Sequence, residues 1–127
     1  MAQDARQYDL EDRLIRFAIV AMDVAETLPN TRSGNHVAGQ LVRSGTSPAP
    51  NYAEAQGAES RKDFVHKLKL ALKELQESRV WIRIIVHKPL LSELRDVRAA
   101  LTECDQLIRI LAKSVATAQS SNPAKGR

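Results

Sequence analysis

Few residues in this chain are of a type and spacing that could do chemistry. One acid-x-x-histidine pair stands at Asp63 and His66. In a helical bundle such a pair can ligate a metal, but only with further carboxylates or a second pair on other helices. His36 and His87 lie far from it in sequence and stand at no ligand spacing. No metal site is expected, and Asp63 is better placed to complement a helix N-terminus. The single cysteine, Cys104, excludes an internal disulfide and a thiolate metal cluster. It sits in an apolar seam and reads as a small buried hydrophobe rather than a nucleophile. Ser44 and Ser47 have no nucleophile elbow around them. Gly45 and Gly57 are isolated, so neither a phosphate loop nor a dinucleotide fingerprint is present. The chain is therefore read as non-enzymatic, without metal or cofactor.

The basic residues offer a different chemistry. Lys62, His66, Lys69 and Lys73 recur at i, i+4, i+7 and i+11, which places them on one helix face as a continuous ridge. The plain reading is a solvated face. The sharper reading is a phosphate-binding surface, with Arg61, Lys67, Arg79 and Arg83 adding charge. Phosphate contacts would give affinity without sequence choice. The net charge of +4 permits an acidic partner but does not require one.

Two other groups of residues need explaining. Arg43, Asn51 and Glu54 stand among small residues, where polar groups are costly unless paired. They are read as a structural polar network. Asn51 or Glu54 would satisfy backbone freed by Pro48 and Pro50, and Arg43 would pair with an acid. The alternative is a network between subunits. The third group is apolar: Ile15, Ile19, Met22, Leu70, Trp81 and Ile84 fall outside the intramolecular core stripes. Surplus apolar surface of this kind points to a second buried face, hence to a homo-oligomer. A charged residue in place of Trp81 is then expected to dissociate the assembly and leave the helices folded.

The elements that must carry these residues are helical. Hydrophobic content is 43% against 4% aromatic, so the core is aliphatic and Gly-poor. A chain of 127 residues makes one domain, assigned to residues 1–118, followed by a disordered tail at 119–127. The first helix is expected from about Asp9, as N-cap, to Leu28. Its stripe is Leu10, Leu14, Phe17, Ala21, Val24 and Leu28, and Pro29 ends it. The second starts near Ser33 as cap and is kinked or broken near Pro48 and Pro50, ending near Gly57. The third runs from about Ser60, capped with Asp63, to Val86. Its stripe is Phe64, Leu68, Ala71, Leu75, Ser78, Ile82 and Ile85. The fourth runs from about Ser92 to Ala118 on a seam of Leu94, Val97, Leu101, Cys104, Ile108, Leu111 and Val115. The fold class is all-α, an up-and-down antiparallel four-helix bundle. No apolar run approaches the roughly 20 residues that span a bilayer. No membrane role is expected, and a cytoplasmic location follows by default.

The stretch from Gln40 to Ile85 also resembles a family. Gln40, Leu41, Arg43, Ser44, Thr46, Ser47, Asn51, Glu54, Ser60, Phe64, Leu68, Ala71, Glu74 and Glu77 stand at the places of a QL-x-RS-x-TS, AN-x-x-E, F-x-x-x-L-x-x-A-x-x-E-x-x-E pattern. This pattern is similar to that of the small bacterial four-helix bundles named for proteins encoded in intervening sequences of 23S ribosomal RNA genes. KELQESRVWI resembles a branch with a K-E-x-x-E-x-x-x-W-[LI] signature. The resemblance implies a homo-oligomer, a ring of five bundles. It also implies a relationship to accessory variability proteins of diversity-generating retroelements, which bind nucleic acid and a reverse transcriptase. RNA, DNA, or a neighbour-encoded protein such as a reverse transcriptase are the partners implied. Two departures stand out: Pro48 and Pro50 bracket Ala49, and Ala55 and Ala58 replace a glycine and a basic residue.

Overall fold

The computed structural model describes residues 2–120, with side chains from residue 9 onward. Five helical segments follow one another: α1 Ala2–Thr27, α2 Arg32–Thr46, α3 Pro48–Gln56, α4 Arg61–His87 and α5 Arg95–Ser120. The described residues contain no strand. The segments α2 and α3 together form the second helix of an all-α four-helix bundle. α1 packs on α2, α3 and α5, and α4 packs on α2, α3 and α5, while α1 and α4 stand diagonally across the core.

The second helix breaks at Ser47, one residue before Pro48. Pro48 then occupies the first position of α3, where its missing N–H has no partner to lose. Asn51 repairs the break: its Nδ2 donates to the Ser47 carbonyl at 3.1 Å and lies 3.2 Å from the Ser47 hydroxyl.

The inward faces follow the helical repeat. In α1 they are Leu14, Phe17, Ala21 and Val24, with Leu28 just past its end, and in α4 Leu68, Ala71, Leu75, Ser78, Ile82 and Ile85. Leu10 and Phe64, expected in these stripes, are only partly buried at their ends. α5 differs more. It buries Val97, Ala100, Cys104, Leu107, Leu111, Val115 and Ala118, while Leu101 and Ile108 are only partly buried. The strict seam was mis-phased because α5 faces two neighbours, α4 and α1, and its buried arc is wider than a two-helix seam.

Helix starts also depart from expectation. Asp9 is not a cap; α1 runs through it, because the preceding residues include good helix formers. The cap of α2 is Thr31, not Ser33, and its side chain accepts from the Gly34 N–H at 3.0 Å. Ser60 does cap α4, accepting from the Asp63 N–H at 3.1 Å. α5 starts three residues later than Ser92, where the Glu93 carboxylate accepts from the Arg95 N–H at 2.7 Å. It continues to Ser120, so positions 119 and 120, assigned to a tail, are helical. Residues 121–127 of that tail lie outside the described residues.

Close approach of helices is set at Gly45. A Cβ there would come within 2.5 Å of Ala21 Cβ on α1 and 3.9 Å of Ser78 Oγ on α4. The same level holds a buried polar pair. Ser78 Oγ lies 2.9 Å from Ser44 Oγ and 3.0 Å from the Glu74 carbonyl. A Ser44–Ser78–carbonyl chain therefore uses both hydroxyl protons in the core.

Candidate nucleic-acid interface

The ridge is built by one uninterrupted helix. α4 holds Lys62, His66, Lys69 and Lys73 on its outward back, all exposed. None of them makes an ion pair with another described residue. The acids of α4 turn elsewhere. Glu74 and Glu77 face α2, where both accept from Arg43, Glu74 at 3.2 Å. With Glu74 and Glu77 turned to the α2 side, Asp63 in the first turn is the one other acid of α4.

At the base of α4 the ridge meets the end of α5. The Arg61 guanidinium donates to the Ala118 carbonyl at 3.1 Å, which places a cation against the negative end of the α5 dipole. Arg61, Lys62, Val65, His66, Lys69, Ala118 and Gln119 line a shallow groove of about 460 Å³ with no acid in it. An anion entering it would meet four basic side chains.

Of the residues expected to add charge, Lys67 and Arg79 are already engaged. Lys67 Nζ donates to Glu54 at 2.7 Å, and that hydrogen bond raises the ammonium above its ordinary pKa. Arg79 Nε donates to Asp105 at 2.6 Å. Arg83 is exposed and makes no such pair. Two basic residues were missed. Arg98 and Arg109 stand seven residues before and four after Asp105, so they share its α4-facing side of α5. Both are exposed. Their signal was present as spacing, but only knowledge of which α5 face adjoins α4 assigns them to this surface.

Arg43, Asn51 and Glu54 do not form one network. Arg43 bonds across to α4, Asn51 back to Ser47, and Glu54 to Lys67. Arg43 is thus paired with acids and Asn51 serves backbone at the proline break, as expected, while Glu54 takes Lys67 rather than freed backbone. Glu77 also accepts from Trp81 Nε1 at 3.2 Å, and the Trp81 ring meets His36 edge-on with centroids 5.7 Å apart. An outward-facing cluster of Arg43, Glu74, Glu77, Trp81 and His36 results.

The surplus apolar residues separate into two classes. Ile15, Ile19, Met22 and Ile84 are exposed, at 39% to 48%. Leu70 and Trp81 are only partly exposed, and Trp81 packs on the core as well as on His36. A charge at Trp81 would therefore disturb the fold itself, and Ile84 is the cleaner probe. Val80, overlooked in the sequence, is the most exposed large apolar residue among the described residues, at 50%.

Cys104 is fully buried, its Sγ 3.3 Å from the Leu75 carbonyl. Burial, and then Asp105, push the thiol up to about 12. Asp63 and His66 are not joined by further ligands: among the described residues no group of three or more His, Cys, Asp or Glu could hold a metal. No helix among them is long and apolar enough to cross a membrane.

Comparison with known proteins agrees with this architecture. No curated protein matches the chain. A crystal structure of a protein of unknown function from the S23 ribosomal protein family of Bacteroides thetaiotaomicron superposes with a TM-score of 0.76 at 26% identity, covering 84% of this chain and 97% of that one. The family model described as 23S rRNA-intervening sequence protein matches residues 6–113. Together with the α2 break, the motif residues of α2–α4 and the bundle they build, this match establishes that the chain belongs to the 23S rRNA-intervening sequence protein family.

Proposed function

We propose that this chain is a non-enzymatic, homo-oligomeric accessory or scaffold protein of the cytoplasm that binds RNA or DNA through the outer face of α4 and α5. One observation carries the reading. Lys62, His66, Lys69, Lys73 and Arg83 of α4 and Arg98 and Arg109 of α5 share a face whose described acid, Asp105, is already held by Arg79. Such a surface suits a phosphate backbone and reads no sequence. The family's tie to 23S rRNA intervening sequences supports the reading. Repetition of the face around a homo-oligomer, a ring of five by family resemblance, multiplies a modest local affinity.

The test is binding of the assembled protein to a mixed pool of RNA and DNA over a salt series. Affinity is expected to fall as salt rises, roughly as a power of the salt concentration set by the number of phosphates contacted. Replacing Lys62, Lys69 and Lys73 together by Ala lowers both affinity and salt slope. Absence of binding at low salt by an assembled oligomer refutes the reading. Light scattering that returns the 14.1 kDa of one chain refutes the oligomer.

A second reading is a protein-interaction scaffold, for example for a neighbour-encoded reverse transcriptase, with no direct contact to nucleic acid. The outward cluster of Arg43, Glu74, Glu77, Trp81 and His36 favours it, because its cation, acids and rings suit recognition of a folded protein surface. Capture of a neighbour-encoded protein that survives nuclease treatment, with no salt-dependent nucleic-acid binding, would select it.

A further inference from the structure

The seam between α1 and α5 is clasped at one level and open beyond it. Arg13 of α1 donates to both carboxylate oxygens of Glu103, at 2.8 and 3.0 Å, and to Gln106 at 3.0 Å. From there toward Thr27 no hydrogen bond joins the two helices among the described residues. Val20, Val24 and Thr27 of α1 and Ala99 and Ala100 of α5 border a trough of about 700 Å³ instead. Its lining includes the buried side chains of Phe17, Val24, Val97 and Ala100, and Leu91 of the α4–α5 connection. Val20 stands open on its wall, 38% exposed.

The trough is apolar inside and acidic around its rim. Asp23 on α1 and Asp96 on α5 both line it and both are exposed. Neither makes an ion pair with another described residue. Glu93 lines it as well, its carboxylate accepting from the Arg95 N–H. Glu103 marks the clasped end and is matched there by Arg13. Arg16 is the one cation among the described lining residues. On the outer edges the helical repeat adds Asp12 and Glu26 from α1 and Arg95 from α5. With the Arg13–Glu103 pair set aside, Asp12, Asp23, Glu26, Glu93 and Asp96 stand against Arg16 and Arg95. A local excess of negative charge thus surrounds an apolar trough in a chain whose net charge is +4.

We infer that this trough is a docking groove for a basic amphipathic helix of a partner protein. The length of the groove suits that occupant. Its α1 wall runs from Arg16 to Thr27, about 16 Å at 1.5 Å per residue, or about three helical turns. A helix laid along the seam sets apolar side chains at i, i+3 or i+4, and i+7 against Val20, Val24, Ala99 and Ala100. The two alanines leave room on that wall for a leucine or an aromatic anchor. Lysines and arginines on the flanks of the docked helix then reach Asp23 and Asp96, one on each bank. An acidic helix, or a phosphate backbone, would meet like charge there, so this surface is not a second nucleic-acid site. The inference goes beyond the nucleic-acid reading and does not depend on it. The basic ridge lies on the back of α4, and the groove lies on the α1–α5 seam. One chain can therefore hold phosphate on one side and a basic protein segment on another, which gives the accessory role a physical form.

A model peptide tests the groove. The probe is a fluorescently labelled leucine–lysine peptide of about 15 residues, with leucines at i, i+3, i+4 and i+7. Its controls are a peptide of the same composition in scrambled order and one with glutamate in place of lysine. Fluorescence anisotropy with the full chain at physiological salt is expected to show saturable binding of the first peptide only. Ala99→Trp fills the groove from an exposed position, and Asp23→Lys combined with Asp96→Lys reverses both banks. Each change is expected to weaken binding by at least about tenfold while helical circular dichroism is retained. Glu59→Lys, exposed and outside the groove, makes a comparable change in net charge and is expected to leave affinity within about twofold. Several results overturn the inference: no binding by the wild type, equal binding of the scrambled peptide, full affinity in the folded groove variants, or an equal loss in Glu59→Lys. Light scattering on Ale99→Trp is the last check. A fall in the mass of the assembly would show the groove to be filled by a second copy, and docking of a partner protein would then be overturned.

Discussion

Buried single residues make the sharpest claims. The Cys104 thiol is pushed up to about 12 by burial, against an ordinary value of 9.0. The folded chain thus keeps its proton where the unfolded chain has lost it. The associated stability is fully present below about pH 9 and falls as pH rises toward 12, by up to about 1.4 kcal/mol per pH unit. Denaturant unfolding across that range, compared with Cys104→Ala, checks the sign: the variant should lose this component of the slope. A thiol reagent at neutral pH should label Cys104 only after denaturant is added. The Ser44–Ser78 pair makes a second claim. Ser78→Ala leaves the Ser44 hydroxyl buried without its partner, at a cost of about 1–3 kcal/mol. The double variant Ser44→Ala/Ser78→Ala should cost less than the sum of the singles, and a double-mutant cycle in urea measures the difference.

At the scale of elements, α2 is governed by how near α1 comes. Gly45→Ala forces a methyl to 2.5 Å from the Ala21 methyl, so the helices must separate or shift. A loss of about 1–3 kcal/mol is expected in chemical denaturation. Gly39, two turns earlier on the same helix, meets nothing within 4 Å. Gly39→Ala should stabilise the chain by about 0.5–1 kcal/mol, because it removes only the entropy that glycine adds to the unfolded state. The opposite signs of these two identical substitutions separate helix propensity from helix packing. The break at Ser47 belongs to this scale as well. Pro48 and Pro50 were visible as helix breakers, but that Asn51 would serve the Ser47 carbonyl depended on the geometry of the break.

At the scale of the molecule, charge is sorted by helix. From residue 9 onward α1 carries Asp9, Glu11, Asp12, Asp23 and Glu26 against Arg13 and Arg16. The outer face of α4 and α5 carries Lys62, Lys69, Lys73, Arg83, Arg98 and Arg109. A net charge of +4 understates both fields. Arg98→Ala and Arg109→Ala should each weaken nucleic-acid binding and reduce its salt slope, while Arg16→Ala on α1 should leave both unchanged. Binding titrations at two salt concentrations distinguish the cases. Equal losses from all three would mean that net charge, rather than the α4–α5 face, governs binding.

The sequence by itself determined the all-α class, the bundle, the α2 break and the inward stripes of α1 and α4. Each follows from local rules: the 3.6-residue repeat, proline's missing donor and the Ser60 cap. The α4 ridge was legible for the same reason, since one continuous helix sets the spacing of its own side chains. The tertiary structure alone decided what depends on which helix lies beside which. It assigned Arg98 and Arg109 to the basic face and removed Lys67 and Arg79 into ion pairs with Glu54 and Asp105. It divided Arg43, Asn51 and Glu54 among separate partners, and it shifted the buried arc of α5 to include Ala100 and Leu107. A helix repeat states which residues share a face, but not which neighbour that face will meet.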